Sequence, residues 1–297
     1  MGTKSETRGM DYIMQRIGIV GNGFVGNAVA RGFASTKKVE VLIYDIDESR
    51  RTHDYDDVIS CDYVFVCLPT PMTHTEGGEC NLSFIENFFD GIGDSDSIFI
   101  IKSTVPIGTT KRLSEDYPKL NIIHNPEFLT ANNAEYDFIN SDRHVIGGKP
   151  LKSRREVERL YKKCFPNIPV YCMTSDESEA TKYFANCFLA SKLMVFNEMK
   201  ILCENIGTID YSKVIDGVVS DSRIGKSHTI VPGPDGEYGF GGTCFPKDIN
   251  ALIATMRDNG MNPIVLESVW KQNKNYRLNW DWAYNTSAVS PLESDNA

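Results

Sequence analysis

Runs rich in Val, Ile and Phe lie at residues 16–20, 39–44, 63–68, 97–102, 121–124, 144–146 and 170–173. They are near-continuous rather than alternating, the pattern of strands covered on both faces. Between them, 25–34, 82–91 and 153–164 carry apolar positions three and four apart, as a helix packed by one face does. Strands alternating with helices predict an α/β fold, with a Rossmann-type doubly wound parallel sheet over residues 14–173.

The pattern changes at Thr174, which has capping-box spacing to Glu177. Residues 178–205 then run without Gly or Pro, enough for about 45 Å of helix. Tyr183, Phe184, Phe188, Leu189, Leu193, Phe196, Met199 and Leu202 make this helix apolar on most sides, so other helices or a partner subunit should cover it. Further helices are predicted at 210–219, 246–259 and 263–278, with a Pro/Gly-rich loop at 231–242. Residues 174–280 thus form an all-helical central domain with one long helix, and 281–297 a loose polar tail. Residues 1–11 are polar and of mixed charge, a leader or tag remnant rather than a signal peptide.

A length of 297 residues suits about two domains. With 41% apolar residues, wholesale disorder is excluded. No run approaches the ~20 apolar residues of a membrane span. The net charge of −9 disfavours nucleic acid and anionic membranes as partners, but not a small anion bound locally. None of the eight cysteines forms a C-x-x-C pair, so no metal is expected. Reduced thiols and no export signal point to the cytoplasm.

Two segments carry chemistry. Gly21-Asn22-Gly23-Phe24-Val25-Gly26 follows the first strand and opens a helix. Glycines there allow a tight turn and close backbone approach to a pyrophosphate at the helix N-terminus. Alone this spacing also describes a structural glycine turn. Asp45 at the end of the second strand decides for a dinucleotide, since a carboxylate there accepts from the adenosine ribose and repels a 2′-phosphate. The cofactor expected is NAD. The second segment is Gly239-Phe240-Gly241-Gly242-Thr243-Cys244-Phe245-Pro246-Lys247-Asp248. Cys244 could be a small buried thiol at a helix start. The helix N-terminus and Lys247 beside it instead predict a lowered pKa and a thiolate. A thiolate adjoining an NAD site suits oxidation of an aldehyde to an acid, which needs addition before hydride can leave. Such a site needs donors at the oxyanion and a base for water.

Taken together with Cys67–Pro71, Lys102–Pro106, Asn125–Leu129, Lys182–Asn186 and Asp221–Gly225, these segments resemble the UDP-glucose/GDP-mannose dehydrogenase family, in family order over 16–280. The UDP-glucose-oxidising members are the most similar. The resemblance implies that Cys244 is the nucleophile and that Lys182 stabilises the oxyanions, with Asn186 holding the sugar. It further implies that Asp248 and Thr104 orient water and that Glu127 assists acid–base steps. Phe128, Leu129 and Thr130, with Tyr238, Phe240 and Gly241, would line the substrate, and Arg223 would reach the other subunit's site across a homodimer built on the long helix. Arg50, Leu68, Pro69, Thr70, Ser103, Thr104 and Lys247 would join the glycine loop and Asp45 around NAD. The implied reaction is four-electron oxidation of a nucleotide sugar at C6, UDP-glucose to UDP-glucuronate, as used in polysaccharide biosynthesis.

Three departures from the family pattern stand out. The third, nucleotide-covering domain of other members is expected to have no counterpart here. The loop 232–236 is an insertion that could supply a wall or a dimer contact, and 51–61 is short and acidic. The alternatives are another nucleotide sugar (a UDP-N-acetylhexosamine or GDP-mannose), a two-electron 3-hydroxyacid dehydrogenase, and a non-catalytic NAD-binding subunit. Cys244 discriminates against the second, since a two-electron oxidation needs no thiolate. The full set of Cys, Lys, Asn, Asp, Thr and Glu argues against the third.

Overall fold

The computed structural model describes residues 14–130 and 133–290. The polar N-terminal leader and the last seven residues of the expected tail lie outside the described residues.

In chain order the first domain comprises β1 (Arg16–Val20), α1 (Phe24–Ser35), β2 (Glu40–Tyr44), α2 (Tyr55–Ile59), β3 (Tyr63–Val66), α3 (Ser83–Asp90), β4 (Ile98–Ile101), α4 (Thr109–Asp116), β5 (Asn121–His124), α5 (Ala134–Ile139), β6 (His144–Gly148), α6 (Leu151–Cys164) and β7 (Val170–Met173). The strands form one sheet in the order β2-β1-β3-β4-β5-β6-β7. Each face buries its own cluster. Ile17, Ile19, Phe65, Ile100 and Ile123 pack with α1 and α6 on one side, while Val64, Val66, Phe99, Ile101 and Ile122 pack with α3 and α4 on the other. Burial on both faces is why the strands read as unbroken apolar runs.

Two strands depart from the parallel sheet expected, β6 and the β7 that lies parallel to it. β6 runs antiparallel to β5, with Ile123 opposite Gly148 and His124 opposite Gly147. The chain leaving β5 does not cross back over the sheet. Instead α5 packs on α1, where Phe138 meets Phe33 with ring centroids 5.7 Å apart and closes over Gly32, so β6 enters from the carboxyl edge.

The helical region comprises α7 (Ser175–Ile206), α8 (Tyr211–Val219), α9 (Phe245–Asp258) and α10 (Ile264–Tyr276). The capping box forms: Glu177 N–H donates to Thr174 Oγ1 (3.3 Å) and Thr174 N–H to Glu177 Oε2 (2.7 Å). Gly207, with φ of 76°, ends the 32-residue helix in the left-handed region. One side of α7 is buried through Lys182, Tyr183, Asn186, Cys187, Ala190 and Met194. On the other, Phe184, Phe188, Val195, Met199, Leu202 and Ile206 are exposed.

The expected loose tail is ordered where it is described. Trp282 and Ala288 are fully buried and Val289 nearly so, packed with Met72 and Trp270 in a third core cluster. The polar stretches 285–287 and 290–297 around Ala288 and Val289 gave the segment a tail-like composition that hid these anchors. No helix among the described residues is long and apolar enough to cross a membrane.

The fold also carries a pH dependence of stability. Burial, with Lys102 adding to it, holds the imidazoles of His124 and His144 down at about 3. Histidine in an unfolded chain titrates near 6.5, so on acidification the unfolded state gains protons the folded state refuses, and stability falls. Glu179 works in the opposite sense. Burial raises its carboxyl to about 7 although it accepts N–H groups from Gly108 (2.6 Å) and Thr110 (2.8 Å), so the folded state takes up its proton first. Two histidines against one carboxyl leave a net loss of about 1 kcal/mol per pH unit between pH 6 and 5. Urea unfolding at those two pH values measures it. Glu179→Gln should roughly double the slope; equal stability at both pH values would refute the assignment.

Candidate active site

The carboxyl ends of β1, β3, β4 and β5 meet at the edge of the sheet where strand order reverses, the crevice in which such sheets bind ligands. Gly21 has a φ of 88°, and a Cβ there would lie 2.6 Å from the Cys67 carbonyl oxygen. A Cβ on Gly26 would fall 1.9 Å from the Gly21 carbonyl oxygen, so α1 can pack this closely only on glycine. Gly23 differs: no atom lies within 4 Å of its Cβ position, leaving the backbone at the start of α1 open to a ligand. Phe24 and Val25 begin that helix, and Phe24 is exposed.

Asp45 is fixed beside the glycine loop. Its Oδ2 accepts the Asn22 N–H (2.6 Å) and its Oδ1 the Asp47 N–H (2.9 Å), which leaves lone pairs for ribose hydroxyls. Asn22 Nδ2 donates to the Arg50 carbonyl (2.7 Å), and Arg50 Nε pairs with Asp47 (3.2 Å). The loops after β3 and β4 are stitched together, since Ser103 Oγ donates to the Leu68 carbonyl (2.6 Å) and Thr70 Oγ1 to the Thr104 carbonyl (2.8 Å), with Pro69 between. An open helix N-terminus, a fixed carboxylate and a polar floor fit a dinucleotide without a 2′-phosphate.

Across the crevice, α7 presents Lys182 and Asn186 one turn apart, both buried. Lys182 Nζ donates to Glu127 Oε1 and to the Glu127 carbonyl, each at 2.7 Å. The second Glu127 oxygen accepts the Leu129 N–H (2.6 Å). Asn186 Nδ2 donates to Asp248 Oδ2 (2.6 Å) and Lys247 Nζ to Asp248 Oδ1 (2.5 Å). Burial works against charge on Lys182, yet Glu127, Asp248 and Cys244 outweigh it and hold the ammonium above the ordinary lysine range. Burial likewise opposes the Glu127 carboxylate, but Lys182 and the Leu129 N–H keep its pKa low. Phe128 lies between cations, with Lys182 Nζ 5.6 Å and the Arg143 guanidinium 4.1 Å from its ring centroid. Thr130 is held by Asp137, which accepts its N–H (2.8 Å) and its hydroxyl.

Cys244 is the N-cap residue of α9, with Pro246 in the first turn as expected. Its electrostatic neighbours are Glu127, Lys182, Lys247 and Asp248, so the sulfur lies in the field of both ion pairs. The expected pKa depression does not occur. Burial first and Glu127 second push the thiol up, and the two lysines offset this only in part. The resting side chain is a thiol, not a thiolate.

Two further residues stand differently from expectation. The Phe240 side chain belongs to the core, against Phe245 and Trp270 at 5.8 and 6.3 Å between centroids, and Asn273 occupies both its backbone N–H (2.7 Å) and its carbonyl (3.0 Å). Tyr238 donates its hydroxyl to both oxygens of Glu204 (2.7 and 2.8 Å) at the far end of α7. Arg223, expected to reach a partner's site, points to solvent and pairs with Asp221 (2.5 Å). Gly241 is a close-approach point, because a Cβ there would fall 2.3 Å from Arg277 Nη2 and from Asp281 Oδ1. Lys102 was not distinguished as a site residue. It is fully buried, donates to Asn125 Oδ1 (3.0 Å) and the Pro126 carbonyl (3.1 Å), and is lowered by burial to about 8. A lysine closing an apolar strand gives no sign in sequence that its amine turns inward.

The central-domain model of the UDP-glucose/GDP-mannose dehydrogenase family matches residues 176–275, and the family's NAD binding domain matches residues 50–165. UDP-glucose 6-dehydrogenase TuaD of Bacillus subtilis is 31% identical over 306 residues, which cover 89% of this chain and 64% of the relative. UDP-glucose 6-dehydrogenase AglM of Haloferax volcanii is 30% identical, covering 85% and 68%. The chain belongs to the UDP-glucose/GDP-mannose dehydrogenase family. Its first domain is the family's NAD-binding domain, and its cofactor is NAD. Among solved structures, the UDP-glucose dehydrogenase of Pyrobaculum islandicum superposes with a TM-score of 0.77 at 27% identity, over 88% of this chain and 68% of that one. A 3-hydroxyisobutyrate dehydrogenase of Mycobacterium tuberculosis shares the fold at a TM-score of 0.70 but is 14% identical, a likeness of architecture alone. The chain thus spans about two thirds of the length of these nucleotide-sugar relatives or less, down to 50% for the enzyme of Rickettsia bellii.

Proposed function

We propose that this chain catalyses the NAD-dependent four-electron oxidation of the C6 alcohol of a nucleotide sugar, UDP-glucose to UDP-glucuronate. The supporting observation is that Cys244, N-cap of α9, lies in the field of two ion pairs, Lys182–Glu127 and Lys247–Asp248, in a chain with an NAD-binding domain. NAD, when bound, accepts hydride. The alcohol proton leaves toward a water or carboxylate, and Lys182 faces the oxygen as negative charge grows on it. Cys244 loses its proton and its sulfur adds to the aldehyde carbon, giving a thiohemiacetal whose oxidation leaves a thioester. Water oriented by Asp248 and Thr104, with Glu127 assisting proton transfer, then breaks the carbon–sulfur bond. In balance, one alcohol, two NAD and one water give one carboxylate, two NADH and three protons.

The test is a panel of nucleotide sugars with NAD, counting NADH per product. Two per carboxylate supports the proposal. One per product, with the aldehyde or ketone as end point, favours the two-electron dehydrogenases that share this fold, and no turnover favours a binding subunit. Eight free cysteines suit a reducing compartment, so we place the reaction in the cytoplasm.

The exposed stripe Phe184, Phe188, Val195, Met199, Leu202 and Ile206 supports a homodimer through α7, in which Arg223 serves the partner's site. The double variant Phe188→Asp/Leu202→Asp should elute in gel filtration as one 33.3 kDa chain, with the parent eluting as a dimer. A monomeric parent with full activity would remove both the interface and the shared role of Arg223.

A further inference from the structure

Residues 277–290 touch both walls of the crevice. At one end Arg277, only 4% exposed, reaches Asp235 Oδ2 (2.6 Å) and Asp281 Oδ1 (3.3 Å), and its Nε donates to the Asn279 carbonyl (3.0 Å). Asp281 Oδ2 accepts the N–H of Gly242, two residues before the nucleophile, at 2.9 Å. Arg277 and Asp281 both close on the bare backbone of Gly241, where a Cβ would be 2.3 Å from each. Upstream amides of the same loop are held the same way, Gly239 N–H by Asn197 Oδ1 (2.8 Å) and Phe240 N–H by Asn273 Oδ1 (2.7 Å). The inserted residue Asp235 is thereby part of the clasp rather than a free wall.

At the other end the segment grips the loop 71–81, which continues from the cofactor-side residues Leu68, Pro69 and Thr70. Trp282 is fully buried and its Nε1 donates to the Thr75 carbonyl (3.0 Å). Met72 N–H donates to the Ala288 carbonyl (2.8 Å) and Ser290 N–H to the Met72 carbonyl (2.9 Å), while Asn81 Nδ2 donates to Ser290 Oγ (3.0 Å). One short segment therefore ties the cofactor-side loop to the nucleophile loop.

We propose that residues 277–290 are a positioning strap that sets the Cys244 loop against the cofactor side of the crevice, with Asp281 as its positioning residue. The strap touches neither the reacting atoms nor the ion pairs around Cys244. It acts through the Gly242 amide and the Arg277–Asp235 pair. A fixed loop matters because a nucleophile displaced by an ångström loses much of its reactivity toward a bound carbon. The proposal rests on the reading of Cys244 as the nucleophile, so the test includes a measurement independent of turnover.

Asp281→Ala and Asp281→Asn are compared with the parent by melting temperature, by iodoacetamide alkylation of Cys244 followed on its peptide, and by steady-state kinetics. The alanine variant should lose about tenfold in kcat, with KM for NAD within about twofold, and its Cys244 alkylation rate should change by about threefold or more. Asp281→Asn keeps an acceptor for the Gly242 N–H and should recover most of both. If Asp281→Ala does not fold, Asp281→Ser, polar but too short to reach Gly242, carries the same expectations. Parent-like alkylation and kcat in the alanine or serine variant would overturn the strap, as would an asparagine variant no better than it. If the parent oxidises no nucleotide sugar, the functional reading fails while the alkylation comparison still decides the strap.

Discussion

Replacing Cys244 with alanine should leave NAD binding intact and reduce carboxylate formation on the order of a thousandfold or more. The effect is large because no other group can form the covalent intermediate. Water adding directly to the aldehyde would lack both a fixed attack angle and sulfur's nucleophilicity. The variant should also be stable. Among the described residues the thiol's hydrogen-bond partner is Thr243 Oγ1 at a long 3.8 Å, and Cys to Ala is a small change. Unchanged melting and unchanged NAD affinity would therefore accompany the loss. Mass spectrometry of the product separates the steps, since Cys244→Ser should also fail to yield acid. Acid formation at the parent rate in either variant would sink the thioester route.

The difference between what the sequence and the structure show at Cys244 is instructive. A helix N-terminus and an adjacent lysine are local features, visible in sequence, and both lower a thiol pKa. Burial and the proximity of Glu127, more than a hundred positions away in the chain, are tertiary and act in the opposite direction. The same division runs through the fold. All seven strands and α7 were legible because their signals are local: apolar runs, a capping box, and a glycine at the helix end. The reversal of β6 was not, since it follows from α5 docking on α1 through Phe138 and Gly32. Trp282, Ala288 and Val289 were lost in a polar tail because each is a single anchor without periodicity. Phe240 sits in the glycine-rich motif of Cys244, yet its ring faces the core; a motif specifies a loop, not which side of it faces outward. Lys182 and Asn186 were legible as a pair by their one-turn spacing, but their partners, Glu127 and Asp248, had to be brought by the fold.

That pairing sets up the second large expectation. Lys182→Met should reduce turnover on the order of a hundred- to a thousandfold, the usual loss when an oxyanion's donor is removed. It should also destabilise the chain by roughly 3 kcal/mol or more, because Glu127 would remain buried without its counter-charge. The two effects have different causes and can be separated. Glu127→Gln in the Lys182→Met background removes the stranded carboxylate, so the double variant should regain much of the lost stability in urea unfolding while turnover stays as low as in Lys182→Met. A purely structural ion pair would behave otherwise, since restoring stability would restore turnover. A purely catalytic lysine would also behave otherwise, with Lys182→Met as stable as the parent. The expectation of both effects rests on a buried pair in which Lys182 Nζ contacts Glu127 at 2.7 Å and also lies in the field of Cys244. The coupling measured by this double-variant cycle is therefore the sharpest measure of how far one interaction serves both fold and reaction.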